Sequence, residues 1–131
     1  MRYLVLLCAL TLLAQKPVGT MKDLMWKIIY PTSNAVFYVG HNPQKSEKDW
    51  QELQNNALTL AESANLLMAP ERALDQARWM QDANLLRAAG EKAFKAATTH
   101  DLPALEALND ELYEACQSCH EHYRPGYKRK P

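Results

Sequence analysis

Two cysteines and a histidine near the C-terminus have the types and the spacing for covalent attachment of a cofactor. Cys116 and Cys119 are separated by two residues, and His120 follows directly. Cys-x-x-Cys-His is the attachment signature of a c-type haem. The two thiols can form thioethers to the two vinyl groups of one haem, while the imidazole binds the iron. We therefore expect one haem c per chain, attached through both cysteines, with His120 as the proximal iron ligand.

Two other chemistries use the same residue types. A thioredoxin-type dithiol belongs to a βαβ setting, whereas residues 104–114, which precede the cysteines, have a helical pattern. A structural zinc site needs four ligands, usually from two paired clusters. The sequence has no second Cys-x-x-Cys pair, and His41, His100 and His122 are scattered. The pattern favours covalent haem, with a redox dithiol and a zinc site as alternatives.

The N-terminus has the layout of a secretory signal peptide. Arg2 precedes an apolar run from Tyr3 to Ala14, and polar residues follow, as in a signal peptide. A run of this length is too short to span a bilayer comfortably. We expect residues 1–19 to be a signal peptide and short leader, and the mature protein to be periplasmic without stable membrane insertion. An uncleaved anchor is the alternative, because Leu12 stands where a small residue is preferred for cleavage after Ala14.

The rest of the 131-residue chain is long enough for one domain, which we place at residues 20–131. The net charge is zero, but residues 46–121 carry an excess of Asp and Glu and the C-terminal tail is basic. A solvated chain end is the favoured interpretation of this tail. We do not expect nucleic-acid binding, because no extended basic face or interleaved aromatic residues accompany these charges.

Apolar periodicity and helix-breaking residues divide this domain into four helical segments, without strand-like alternation. Pro31 cannot donate a hydrogen bond to the carbonyl oxygen of Lys27, so a kink or a break is expected near Tyr30. The predicted segments are 20–39, 46–69, 71–98 and a last helix that begins at Asp101 and runs into the two cysteines.

Short connections between these segments favour antiparallel neighbours, and hence an all-α fold with an up-down-up-down four-helix bundle. The apolar stripe of the fourth helix continues into the two cysteines, so we expect them to face the core. In this topology the haem lies near the start of the first helix, and His41 and His100 fall at the opposite end. His122 is only two residues from His120, so it should point away from the iron as a surface residue.

The chain after the leader resembles the class II c-type cytochromes, the family of cytochrome c prime and its low-spin relatives. The specific part of the match is residues 112–124, around the attachment motif. Family members are exported four-helix bundles with the haem attached near the C-terminus. The resemblance implies that Cys116 and Cys119 carry the thioethers, that His120 is the proximal ligand and that Arg124 is the basic residue beside it. A surface arginine in a basic tail is the alternative for Arg124.

The family divides on the other side of the iron. Cytochromes c prime leave the sixth ligand site open, whereas low-spin relatives fill it with a methionine from the first helix. Residues 24–31, with a methionine about two turns before the proline, resemble the low-spin branch. The resemblance therefore implies Met25 as the distal ligand, with Met21 or an open site as alternatives. Trp79 is the aromatic residue best placed to line the haem pocket.

Three functions remain open at this point. Electron transfer by a His/Met-ligated haem comes first, with redox partner proteins of unknown identity. A five-coordinate protein that binds nitric oxide or carbon monoxide is the alternative if neither methionine reaches the iron. A peroxidase-like enzyme is least favoured, because it needs a distal acid or base and the expected topology places none there. Class II relatives are often dimers, so a homodimer is an alternative to a monomer.

Overall fold

The computed structural model describes residues 16–42 and 44–128. Within these residues the fold is all-helical, as the periodicity predicts, and contains no strand. Most of the predicted signal peptide, residues 1–15, lies outside the described residues. None of the helices in the described ranges combines the length and the hydrophobicity needed to cross a membrane.

The described residues form four helices, which we name α1 to α4 and which pack around one core as a helical bundle. Two of them, α1 and α4, consist of successive helical stretches. Their bounds are Met21–Leu24, Met25–Ile29 and Tyr30–Phe37 for α1, Glu47–Met68 for α2, Arg78–Thr98 for α3, and Leu102–Ala107 with Asn109–Tyr123 for α4.

Side-chain caps fix the starts of three of these helices. Thr20 and Asp23 form a capping box at the start of α1, in which the Asp23 N–H donates to Thr20 Oγ1 at 3.1 Å and the Thr20 N–H donates to Asp23 Oδ2 at 3.0 Å. Ser46 and Asp49 form the same box at the start of α2. Asp101 caps α4 by accepting a bond from a backbone N–H of the first turn. The predicted starts of the first, second and fourth helices are therefore confirmed.

The predicted start of the third helix at Glu71 is wrong, because α3 begins at Arg78. The Oδ1 atom of Asp75 accepts hydrogen bonds from the backbone N–H groups of Ala77 at 3.0 Å and Trp79 at 3.1 Å. These bonds satisfy backbone N–H groups at the start of α3, which have no acceptor within the helix. An aspartate that bonds to nearby backbone groups stabilises a turn in place of a helix, so the helix does not restart directly after the proline.

Pro31 does not break α1, so of the kink or break expected near Tyr30 the break does not occur. Tyr30 keeps helical dihedral angles, with φ −59° and ψ −53°, and the helix continues through the proline. The preceding turn, Met25–Ile29, is instead a π-helix, in which the Tyr30 N–H donates to the Met25 carbonyl oxygen. The hydroxyl of Thr32 donates to a carbonyl oxygen of this turn at 2.6 Å. The missing N–H of the proline is thus accommodated by a wider turn.

The core is formed by one apolar stripe from each helix, and the most extensive packing is between α2 and α3. These two helices approach closely where Gly90 of α3 faces Ala61 of α2. A Cβ atom at position 90 would lie 2.7 Å from both the Cα and the N atom of Ala61. Gly90 therefore permits an interhelical distance that a larger residue would prevent.

We expect Gly90→Ala to lower the free energy of unfolding by about 1 to 3 kcal/mol, because the new methyl group must displace the backbone of α2. Helix propensity alone has the opposite sign and would raise stability by about 0.5 to 1 kcal/mol. Urea denaturation of the exported protein measures the difference. Asn84→Ala, at an exposed position of the same helix, is the matched control and should change stability by no more than about 0.5 kcal/mol. Equal stability of the two variants would contradict the close approach.

Candidate functional site

The Cys-x-x-Cys-His motif lies in the last turns of α4. Cys116 and Cys119 are free thiols, and both are half-buried, as is His120. The fully buried residues of α4 at this level are Ala115 and Gln117, which lie on different sides of the helix. The expectation that the cysteines face the core is met only in part, because neither cysteine is fully buried. Residues three apart on a helix share one side, so the two thiols lie on the same side of α4.

Burial controls the protonation of both cysteines. It raises the pKa of Cys116 and of Cys119 to about 11, and the negative charge of Asp82 adds to the effect at Cys119. Both groups are therefore protonated thiols at neutral pH. A redox-active dithiol has a thiol whose pKa is lowered by its surroundings, so these raised values disfavour the dithiol alternative.

His120 is in the form that binds a metal. Burial lowers the pKa of His120, with a further contribution from the positive charge of Arg124, so the ring is neutral at neutral pH. Its ring meets the edge of Tyr127 with 5.4 Å between the ring centres. Arg124 ends α4, donates its backbone N–H to the His120 carbonyl oxygen, and lies beside the histidine, where the sequence resemblance places it.

The two candidate distal ligands are on the first turns of α1. Met21 and Met25 are half-buried and pack against the core. Met25 is the first residue of the π-helical turn, and its carbonyl oxygen accepts the bond that closes this turn. Single π-helical turns within α-helices occur frequently at functional sites. Iron ligation by either methionine stays a prediction.

Trp79, predicted to line the haem pocket, is a buried residue at the start of α3. Its indole N–H donates to the carbonyl oxygen of Leu67 at the end of α2, at 2.7 Å. Its ring meets Tyr123 of α4 edge to face, with 4.9 Å between the ring centres. Trp79 thus packs between three helices near the attachment motif, and its contact with a haem stays a prediction.

His100 and His41 contact other parts of the bundle. The ring of His100 stacks on Trp50 with 4.5 Å between the ring centres, and its Nε2 atom is 3.6 Å from a carboxylate oxygen of Glu47. Both partners lie in the first turn of α2. His41 follows α1 and lies against Tyr38.

His122 is an exposed residue, as predicted, but its ring also contacts a buried side chain of α3. Its Nδ1 atom is 2.8 Å from Oδ2 of Asp82 on α3, and the Asp82 side chain is only 3% exposed. The Oγ atom of Ser118 donates to the other carboxylate oxygen of Asp82 at 2.6 Å. Ser118 and His122 are four residues apart, so they share one face of α4. We refer to Asp82, Ser118 and His122 as the Asp82 cluster.

The contact between Arg78 and His122 identifies the tautomer of the histidine. The Nη1 atom of Arg78 is 3.2 Å from Nε2 of His122. A guanidinium group can only donate hydrogen bonds, so Nε2 accepts and Nδ1 carries the proton that is donated to Asp82. In this arrangement the Asp82 carboxylate accepts two hydrogen bonds.

Two tyrosine hydroxyl groups further fix the end of α4. Tyr123 donates to Asp75, the residue that caps the start of α3, and Tyr127 donates to the buried Gln117. Burial and the bond to Asp75 raise the pKa of Tyr123 to about 12. The turns on both sides of His120 are therefore connected to α3 or to the chain that follows α4.

Sequence reasoning missed Asp82 and Ser118 as parts of the site. A signal was present, because Asp82 lies between Trp79 and Leu86 on the apolar stripe of α3. A carboxylate on a buried stripe requires hydrogen-bond donors. The spacing does not identify those donors, because they come from another helix.

Comparisons with models of protein families, with curated proteins and with solved structures found no match to this chain. No three His, Cys, Asp or Glu side chains in the described part of the chain are grouped so as to hold a metal ion. The resemblance to class II c-type cytochromes therefore rests on the sequence, and the function is inferred from the residues.

We expect Ser118→Ala to lower the free energy of unfolding by about 1 to 3 kcal/mol, because the buried Asp82 carboxylate loses a hydrogen-bond donor. Thr98→Ala is the matched control, since the Thr98 hydroxyl is exposed and bonds only to a carbonyl oxygen of its own helix. That variant should change stability by no more than about 0.5 kcal/mol. Thermal or urea denaturation of both exported variants measures the difference, and equal stability would show that Asp82 does not depend on Ser118.

Proposed function

We propose that the protein is an exported electron-transfer c-type cytochrome. Cys116 and Cys119 would hold one haem covalently, His120 would be the proximal iron ligand, and Met25 would be the distal ligand. The haem iron, when bound, supplies a couple that exchanges one electron. The observation that carries the proposal is the presence, within one turn of α4, of two protonated free thiols followed by a neutral imidazole.

The chemistry of these residues fits a haem. Thioether formation needs two cysteines that are not joined in a disulfide, and both are free. Iron ligation needs a neutral imidazole nitrogen, and burial lowers the pKa of His120, so that its ring is neutral at neutral pH. All three side chains are half-buried at the margin of an apolar core. A large apolar group at this margin can contact these side chains and the core.

Hydrogen bonds between the helices support an antiparallel, up-down-up-down topology. Trp79 at the start of α3 donates to Leu67 at the end of α2. Asn109 of α4 donates to the carbonyl oxygen of Phe37 at the end of α1, at 3.3 Å. The start of the last stretch of α4 is therefore beside the end of α1. If α1 and α4 are antiparallel, the attachment motif lies at the same end of the bundle as Met25.

The packing of α1 is consistent with a cofactor between these two ends. The Tyr30–Phe37 stretch packs on Asn109–Tyr123 of α4, whereas the Met25–Ile29 turn packs on α2. The main contact between α1 and α4 thus involves the half of α1 that is distant from Met25. This supports the proposal that the motif and the π-helical turn contribute ligands from opposite sides.

In this proposal the residues of the chain hold the iron in one coordination state and control its surroundings. His120 and Met25 would both bind the iron, which would limit rearrangement during electron transfer and give a higher reduction potential than two histidines would. The buried apolar side chains of α1 to α4 exclude water. Electron transfer requires no catalytic acid or base, so we propose no enzymatic activity. The redox partners would be other exported or membrane-bound proteins.

We expect the exported protein to carry the added mass of one haem after denaturation in acid. The double variant Cys116→Ser/Cys119→Ser should lose this mass, because it has no thiol left for a thioether. His100→Ala is the control and should keep it, since His100 contacts Trp50 and Glu47 instead of the motif. Mass spectrometry of protein from a host that matures c-type cytochromes makes the measurement. An unmodified wild-type mass would contradict the proposal.

We expect the reduced wild-type protein to have a low-spin absorption spectrum that carbon monoxide does not change. Met25→Ala should become high-spin and bind carbon monoxide, because the sixth ligand is lost. Met21→Ala, one turn earlier on α1, is the matched control and should behave as the wild type does. A change in Met21→Ala alone would identify Met21 as the ligand. Ready binding of carbon monoxide by the wild type would contradict the six-coordinate proposal and support the gas-binding alternative.

A further inference from the structure

The Asp82 cluster contains a buried negative charge beside the attachment motif. The Asp82 side chain is 3% exposed, and its carboxylate accepts bonds from Ser118, which directly precedes Cys119, and from His122, two residues after His120. One donor therefore lies within the motif and the other lies two residues after it, on the same face of α4.

The groups that donate to this carboxylate are a hydroxyl and an imidazole N–H, because the bond from Arg78 makes Nε2 of His122 an acceptor. Arg78 itself is exposed to solvent. Charges in contact with water are screened much more strongly than buried ones, so the positive charge of Arg78 offsets the field of Asp82 only weakly inside the protein.

The hydrogen bonds place Asp82 against the motif itself. Its carboxylate accepts the bond from Ser118 at 2.6 Å, and Ser118 directly precedes Cys119 in the chain. A buried charge at this position is screened much less than a charge in water, so it can act on a group bound at the motif.

We infer that Asp82 lowers the reduction potential of the haem iron by placing a fixed, buried negative charge beside its attachment turn. The inference rests on the proposed function. The ferric state carries one more positive charge than the ferrous state, so a nearby negative charge stabilises the ferric state more. Asp82 is a tuning and positioning residue: Ser118 and His122 hold its carboxylate in place, and α4 supplies the iron ligand.

The test is a potentiometric titration of the haem-loaded variant Asp82→Asn, which removes the charge and keeps the shape of the side chain. At the midpoint potential of the wild type, the ratio of reduced to oxidised protein should rise about tenfold, the order that Coulomb's law gives for one buried charge. For one electron this is an upward shift of about 59 mV. The positions of the absorption bands should not change, because both axial ligands remain.

Glu111→Gln is the matched control. Glu111 is also on α4, but its carboxylate is 40% exposed and pairs with Lys92 at 2.7 Å. Removing a screened charge of this kind should leave the midpoint potential close to that of the wild type. An equal shift in Glu111→Gln and Asp82→Asn would overturn the inference, because it would show an effect of net charge instead of one buried group.

Ser118→Ala separates the electrostatic role from a structural one. This variant keeps the charge of Asp82 and removes a hydrogen-bond donor that partly offsets the charge. The midpoint potential should therefore stay the same or fall. If Asp82 only held α4 in position, both variants would loosen the motif and shift the potential in the same direction, whereas the electrostatic role predicts an increase in Asp82→Asn and no increase in Ser118→Ala. An increase in Ser118→Ala therefore overturns the inference, even if Asp82→Asn does not fold.

The outcomes also separate this inference from the proposed function. A wild-type protein without haem overturns both. A wild-type protein with covalent haem, together with an unchanged potential in Asp82→Asn, overturns only the role of Asp82. A high-spin spectrum in Asp82→Asn would also overturn it, because the shift would then come from a lost ligand.

Discussion

A buried carboxylate must be matched by hydrogen-bond donors, and this requirement connects α3 to the last turns of α4. Asp82 is removed from water almost completely and is bonded by Ser118 and His122. These two residues enclose Cys119 and His120 in the sequence, so the donors that satisfy Asp82 also fix the turn that would hold the cofactor. Leaving such a group without partners is costly, and the position of the motif relative to α3 follows from avoiding that cost.

The packing of the first three helices determines where α4 and its motif lie. Gly90 allows α2 and α3 to approach closely, and the indole of Trp79 connects the end of one to the start of the other. The start of α1 is different, because it contains a π-helical turn that begins at Met25. This wider turn accommodates the missing N–H of Pro31. The motif is thus fixed by bonds to its neighbours, whereas the candidate distal ligand lies in a locally irregular turn.

The sequence predicts those parts of the structure that depend on nearby residues. The capping boxes at Thr20 and Ser46 are local, and both helix starts were correctly predicted. The start of α3 was not, because the side-chain bonds of Asp75 compete with a helical restart. The pair between Asp82 and His122 depends on how α3 and α4 are rotated about their axes. Periodicity gives the buried face of each helix, but it does not give the residue that faces a neighbouring helix.

The central claim is that one haem is bound covalently through both cysteines of α4. Peptide mapping by mass spectrometry of the exported protein tests it most directly. The account predicts that the peptide containing Cys116 and Cys119 carries the mass of one haem and that neither cysteine reacts with a thiol reagent. The unmodified peptide, with both thiols reactive after denaturation, would contradict the account.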